Sequence, residues 1–324
     1  MRNPRSKAAR TLAFALNSLR WGLPARSLLF GPLSLGDDLL CTAVLREARQ
    51  RGRPFTMMTA RPELFRGNHD PAKVIPIDDD YVAGLRRLSR KVVKPYYVRA
   101  NPENPDGDLL PQHHVIVEMC RLAGLEGDVA VRPYLNLTPE EKRAARRQRP
   151  VIALQSSVLA ARIPYPTKEW IAKSWQTVAI QLRRHAYLVQ LGTAADPALP
   201  VDEDLRGKTS LREAAAILAN ARVFVGLVGF LTHLARAVDC PAVVVMGGRA
   251  RASVFGYVAN TNLTATPPCS PCGLRTGCPH DLACMQQISA ETVITAALDR
   301  LAHPPASPLP VDTIRIPAKS NGHD

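Results

Sequence analysis

Ser27-Leu28-Leu29-Phe30-Gly31-Pro32-Leu33-Ser34-Leu35-Gly36-Asp37-Asp38-Leu39-Leu40-Cys41-Thr42-Ala43-Val44 changes period once, and that change decides the fold. Residues 27–31 are an apolar run of strand length, and 32–36 make a Pro/Gly turn. From Asp37 onward Leu39, Leu40, Ala43, Val44 and Ala48 recur at helical spacing, and Gly52 ends the helix. Phe55-Thr56-Met57-Met58 and Lys73-Val74-Ile75-Pro76-Ile77 read as the next two strands. Strand, turn, helix and strand in such close succession predict the parallel sheet of a doubly wound α/β domain.

Farther along, a helix starts at His113-His114 and runs to Ala123, closed by Gly124. Thr138-Pro139-Glu140-Glu141 is a helix-start signature, and the charged residues 142–149 continue it as an exposed linker between domains. The alternation then repeats. Val151-Ile152-Ala153-Leu154 is a buried strand, followed by a helix with Trp170, Trp175, Val178, Ile180 and Leu182 and a strand over 187–192. Ser210-Leu211-Arg212-Glu213 is a capping box ahead of an alanine-rich helix. Strands over 223–226 and 242–246 flank a helix over 233–238. The expected plan is a basic arm (1–26), two doubly wound domains (27–148 and 149–302), and an extended Pro-rich tail (303–324). Ligands of such sheets bind at the carboxyl ends of the strands, here in the cleft between the domains.

The 324 residues are 46% hydrophobic, 22% charged and 5% aromatic, an ordinary globular balance with chain enough for two cores of about 150 residues each. No apolar run nears the roughly 18–20 residues of a membrane-spanning helix. Net charge is +14; residues 1–149 hold 26 Lys+Arg against 16 Asp+Glu, and the remainder 16 against 12. An anionic partner is therefore expected on the amino-terminal half. The first 36 residues contain no acid, carry Arg2, Arg5, Lys7, Arg10, Arg20 and Arg26, and include the apolar Leu12, Phe14, Leu16 and Leu19. Asn17 and Ser18 interrupt that patch too much for a signal sequence. It fits a basic arm lying on an anionic membrane surface, or equally a disordered tail. A second acid-free stretch holds Arg86, Arg87, Arg90, Lys91, Lys94 and Arg99 with Tyr96 and Tyr97. It fits a solvated helix face, or a contact with nucleic acid, sugar phosphate or lipid head groups.

Of seven cysteines, Cys41, Cys120 and Cys240 sit alone in apolar stretches and read as buried thiols. Cys269, Cys272, Cys278 and Cys284 cluster in a loop (267–285) rich in Pro and Gly. With no secretory signal read ahead of them, reduced thiols and a cytoplasmic setting are expected. Four thiolates in this density suit a tetrahedral structural metal, which would supply what the loop's small core cannot; reduced cysteines packing the loop are the other reading.

Several stretches in order along the chain resemble glycosyltransferase family 9, the bacterial heptosyltransferase-like enzymes. They are Gly36-Asp37-Asp38-Leu39-Leu40-Cys41-Thr42-Ala43-Val44-Leu45-Arg46, Lys168-Glu169-Trp170 with Trp175, and Leu191-Gly192-Thr193-Ala194-Ala195-Asp196. Leu205-Arg206-Gly207-Lys208-Thr209-Ser210-Leu211-Arg212-Glu213, His233-Leu234-Ala235-Arg236-Ala237 with Pro241, and the four-cysteine segment complete the set. The resemblance implies a GT-B fold, two Rossmann-like domains facing across a cleft. It gives Asp37 the role of general base, although on its residues alone Asp37 also fits a helix N-cap. It sets Lys168 against the diphosphate leaving group, with Thr193 and Asp196 beside the nucleotide. Gly229, Thr232 and His233 fall at the diphosphate loop. There the family's D-[ST]-G is replaced by Gly226-Leu227-Val228-Gly229-Phe230-Leu231-Thr232, with no acid and a bulky Phe230 near the glycine's place. Family members that modify autotransporters hold iron in a four-cysteine cage, so iron is expected as readily as zinc.

The expected function is inverting transfer of a sugar, heptose from an ADP-activated donor, to an anionic glycan such as lipopolysaccharide core or to a protein. The resemblance calls for no organic cofactor. The expected location is the cytoplasm, peripheral on the inner face of the cytoplasmic membrane. Two alternatives stand beside this: a non-catalytic family member that lost donor binding, and a glycosyltransferase acting on nucleic acid.

Overall fold

The computed structural model describes residues 6–29, 35–161 and 163–318. The expected strand end at 30–31 and turn at 32–34 lie outside them, as do Arg2 and Arg5. The amino-terminal half runs α1 (Lys7–Trp21), β1 (Arg26–Leu29), α2 (Leu35–Gln50), β2 (Thr56–Thr59), β3 (Lys73–Pro76), α3 (Asp79–Arg87) and β4 (Lys91–Val93). Its four strands are all parallel in the order β3-β2-β1-β4, with Ser27 beside both Thr56 and Val92. The helical spacing read from the sequence buries Leu39, Leu40, Ala43, Val44 and Ala48 of α2 completely.

A short antiparallel hairpin, β5 (Arg99–Ala100) and β6 (Asp108–Leu109), leaves this sheet. It is followed by α4 (Val115–Leu122), β7 (Gly127–Ala130) and α5 (Pro139–Ala144). His114 caps α4, its Nδ1 accepting from the Ile116 N–H at 3.2 Å. Thr138 and Glu141 form a reciprocal capping box on α5.

The expected linker helix over 142–149 stops at Ala144, and its first turn is held from the other domain. Glu141 receives two hydrogen bonds, 2.5 and 2.6 Å, from Arg212 of α7 (Leu211–Asn220). That contact pulls the Glu141 carboxyl down to about 2.

In the carboxyl-terminal half, β8 (Val151–Leu154), α6 (Ala172–Leu182), β9 (Tyr187–Gln190) and β10 (Glu203–Asp204) precede α7. They are followed by β11 (Ala221–Leu227), α8 (Phe230–Ala237), β12 (Ala242–Gly247), α9 (Ala252–Phe255) and β13 (Thr261–Thr264). Six parallel strands stand in the order β10-β9-β8-β11-β12-β13. Ser210 and Glu213 form the expected capping box on α7. Trp170 precedes α6 rather than lying on it and meets Trp175 edge-on at 4.9 Å. Then come α10 (Ala283–Gln286), α11 (Ala290–Ala302) and β14 (Thr313–Ile316).

Both chain ends, as far as they are described, pack against the first domain. The tail crosses back to the first domain, where β14 pairs antiparallel with β7 and places Ile316 beside Gly127. Arg236 of α8 holds it on the way, donating to the Pro310 carbonyl at 3.0 Å. The amino-terminal arm is a docked helix. Phe14 and Trp21 of α1 lie against Tyr81 of α3, with ring centroids 5.9 and 5.1 Å apart. The bare Cα of Gly84 admits the Phe14 ring, where any Cβ would collide with it.

Candidate active site

The two domains enclose a cavity of about 650 Å³ lined from both sides. Asp37 reaches it from the first turn of α2 and is 9% exposed. Its carboxylate accepts a 2.7 Å hydrogen bond from the Tyr97 hydroxyl, which burial and that carboxylate hold firmly protonated. Asp38, its neighbour, turns the other way, into the domain. It accepts from Arg61 at 2.9 Å and Thr59 at 3.2 Å, while burial raises its carboxyl to about 6. Of the consecutive aspartates, only Asp37 lines the cavity.

Lys168 faces Asp37 from the opposite domain. Its ammonium sits 4.6 Å from the Tyr165 ring centroid and 5.7 Å from that of Phe255. Among the described residues no carboxylate pairs with it. Burial, reinforced by the charge of Arg249, lowers it to about 8, while the field of Asp37 pulls the other way. A lone cation between aromatic faces is a site for anionic charge that arrives with a ligand.

Thr193 and Asp196 line the same cavity on the turn after β9. The Asp196 carboxylate is spent within the turn, taking the Thr193 hydroxyl at 2.8 Å and its N–H at 3.1 Å. This close approach passes over Gly192, whose φ of +136° and missing Cβ make room for it. Gly229 begins α8 and lines the cavity, and so does Phe230 beside it. His233 lies one turn into α8, its Nδ1 2.7 Å from the Tyr257 hydroxyl. Burial lowers the imidazole to about 3, so it is neutral at pH 7. The expectation for Thr232 is corrected: it is buried and donates to the Leu227 carbonyl at 2.6 Å, facing the core and not the cavity.

The sequence reading missed a clasp between the domains. Asp108 of the hairpin accepts from Arg249, which follows β12, and from Arg275 of the Cys-rich loop at 2.5 and 2.9 Å. Backbone continues the junction, with the Asp108 N–H donating to the Gly273 carbonyl at 3.0 Å, while within the second domain the Thr167 hydroxyl holds the loop at the Leu274 carbonyl at 2.6 Å. Gly273, at φ +66°, could carry no Cβ against the Asp108 carbonyl. Asp108 is 5% exposed and Arg249 4%. Replacing Asp108 by alanine strands a buried guanidinium, which costs about 3–5 kcal/mol. The Asp108→Ala melting temperature should therefore fall on the order of 10 °C in a thermal scan.

A model of glycosyltransferase family 9 (heptosyltransferase) matches residues 80–276, well over half of the sequence. The chain belongs to that family. Solved structures agree on the architecture. E. coli ADP-heptose lps heptosyltransferase II superposes with a TM-score of 0.63 at 17% identity, covering 86% of this chain and 98% of that one. A family 9 glycosyltransferase from Veillonella parvula gives 0.61 at 15%, covering 86% and 97%. The iron-containing dodecameric heptosyltransferase TibC of enterotoxigenic E. coli, in complex with ADP-D-β-D-heptose, gives 0.65 at 17%, covering 86% and 77%. No curated protein sequence matches. The fold is thus GT-B, and this member of family 9 is a glycosyltransferase. The matched segment starts after Asp37, so the family model does not speak to the base.

The metal expectation is not met by the placement of the cysteines. Among the described residues no three His, Cys, Asp or Glu side chains are gathered closely enough to hold an ion, and Cys269, Cys272, Cys278 and Cys284 are free thiols. The loop is instead held by its contacts with Asp106, Asp108 and Thr167, which do not involve sulfur. Cys41, Cys120 and Cys240 are buried thiols as expected. No described helix is long and apolar enough to cross a membrane.

Proposed function

We propose that this family 9 glycosyltransferase passes heptose from an ADP-activated donor to a hydroxyl of an anionic glycan, with inversion at the anomeric carbon. The observation that carries the reading is the opposition of Asp37 and Lys168 across one cavity. The carboxylate takes the acceptor's hydroxyl proton as its oxygen forms a bond to C1 of the sugar. On the opposite face the bond from C1 to the diphosphate oxygen breaks, and the electron pair leaves with the nucleoside diphosphate. The Lys168 ammonium meets that growing charge, helped by the amino-terminal N–H groups of α8 at Gly229 and Phe230.

Gly192, Thr193, Gly207 and Ser210 surround the part of the cavity where the nucleoside would lie. Phe230 replaces a small residue at the phosphate end, so the diphosphate is expected to rely on Lys168 more than on the loop. Tyr96, on the cavity wall of the first domain, offers a face on which an acceptor sugar stacks.

A nucleotide panel tests the donor. Thermal scans of the chain with ADP, UDP, GDP, CDP and TDP should show a selective rise of several degrees for ADP. At about 100 times its dissociation constant a ligand contributes roughly 2.7 kcal/mol. A selective response to another nucleotide would replace the ADP assignment, and no response to any would count against donor binding.

A further inference from the structure

We propose that Tyr257 is a positioning residue, which fixes the ring proton of His233 on Nε2 and so aims an N–H at an oxygen of the transferred sugar. The inference rests on the reaction proposed above and adds a residue to it. Tyr257 follows α9, is 2% exposed, and does not itself line the cavity. Its backbone carbonyl accepts from the Asn260 N–H and from Asn262 Nδ2, each at 3.0 Å. The ring of His114, at the start of α4 in the first domain, packs against it with centroids 5.2 Å apart. Tyr257 is thus held from both domains behind His233.

The Tyr257 hydroxyl lies 2.7 Å from His233 Nδ1 and, among the described residues, has no other hydrogen-bond partner. Burial keeps the phenol protonated. Its titratable neighbours offer that proton no acceptor. Arg236, whose charge reaches the phenol, is a cation with donors only. His114 Nδ1 already accepts from the Ile116 N–H, so the proton of that imidazole sits on Nε2. If His233 donated from Nδ1, the phenol proton would be stranded in the core. Tyr257 therefore donates to Nδ1, and the neutral His233 ring carries its proton on Nε2.

That edge of the ring faces the reaction. Cδ2, the atom bonded to Nε2, is 3.5 Å from where a Cβ on Gly36 would stand, and Gly36, Asp37 and His233 line the same cavity. Asp37 meets the acceptor hydroxyl as it attacks C1, so the ligand atoms beside this edge belong to the sugar around C1. An N–H there donates to a sugar oxygen. It cannot compete with Asp37 for the acceptor's proton, because the ring's lone pair is turned toward Tyr257.

The test begins with nitrogen NMR of the full chain, labelled at histidine and free of donor. His233 should show a protonated Nε2 and an Nδ1 that accepts a hydrogen bond. In Tyr257→Phe, which keeps the ring and loses the hydroxyl, the Nδ1 resonance should shift. The kcat of that variant should fall about tenfold, the scale of one neutral hydrogen bond, while the thermal response to ADP persists, because ADP lacks the sugar. His233→Gln, whose amide nitrogen reaches the place of Nε2, should keep more kcat than His233→Asn, whose amide nitrogen falls at Nδ1. The proposal is overturned if His233 carries its proton on Nδ1, or if Tyr257→Phe leaves the Nδ1 resonance or kcat unchanged. It is equally overturned if the asparagine variant is the more active, or if the ADP response is lost together with kcat, which would make the diphosphate the ligand. The NMR needs no substrate, so failure of the reaction itself, seen as full turnover by Asp37→Asn, is told apart from failure of the tautomer.

Discussion

Asp37→Asn should lower turnover with a competent donor and acceptor by about 10²–10⁴-fold while leaving the thermal response to nucleotide intact. Asparagine keeps the shape of the side chain and the oxygen that receives the Tyr97 hydroxyl. What it lacks is a lone pair basic enough to take a proton. Asp38→Asn is the informative control, because its carboxylate also lies near the start of α2 but is bound to Arg61 and Thr59 and does not itself line the cavity. That change should act on stability and spare the chemistry. Initial rates of both variants, beside their melting temperatures, separate the two carboxylates. If the Asp37 variant keeps full turnover, the base is elsewhere.

What could be read in the sequence was what the chain encodes locally. The step from an apolar run to helical spacing at Asp37, the Ser210–Glu213 and Thr138–Glu141 boxes and the strand at 151–154 each depend on residues a few positions apart. The order of motifs then carried the family, and the structure brings Asp37, Lys168, Thr193, Asp196, Gly229 and His233 to one cavity. Unreadable were features made by residues far apart. Asp108 lies 141 positions from Arg249 and 167 from Arg275, and nothing about an acid in a Pro/Gly-rich stretch announces either partner.

The same holds for β14, whose strand partner lies in the other domain, and for the side of α1 that docks. Thr232 went wrong for a local reason. On a helix starting at Phe230 it projects toward the Leu227 carbonyl, and spacing alone does not show which side faces the cleft. The cysteines show the limit of counting ligands: Cys284 lies within electrostatic reach of Cys272 and Cys278, yet the described residues hold no arrangement of three fit for a metal ion.

Lys168 makes the second strong prediction, in the pH dependence. An ammonium lowered to about 8 is largely protonated at pH 7 and loses its charge as pH rises through that value. If it meets the leaving diphosphate, kcat/KM should fall by about tenfold for each pH unit above 8, since that parameter follows the free enzyme. Donor binding brings negative charge to the amine and raises its pKa, so kcat should hold to higher pH than kcat/KM. Lys168→Ala should lower kcat/KM by about 10²–10³-fold, the usual scale for a donor aimed at developing charge. Lys168→Arg tests the charge itself, because guanidinium stays protonated throughout the accessible range. Whatever activity it retains should lose the alkaline limb, and an unchanged limb would show that another group is titrating. The two residues thus predict opposite requirements in one cavity, a carboxylate without its proton and an ammonium with it, and only the ammonium sets the alkaline edge.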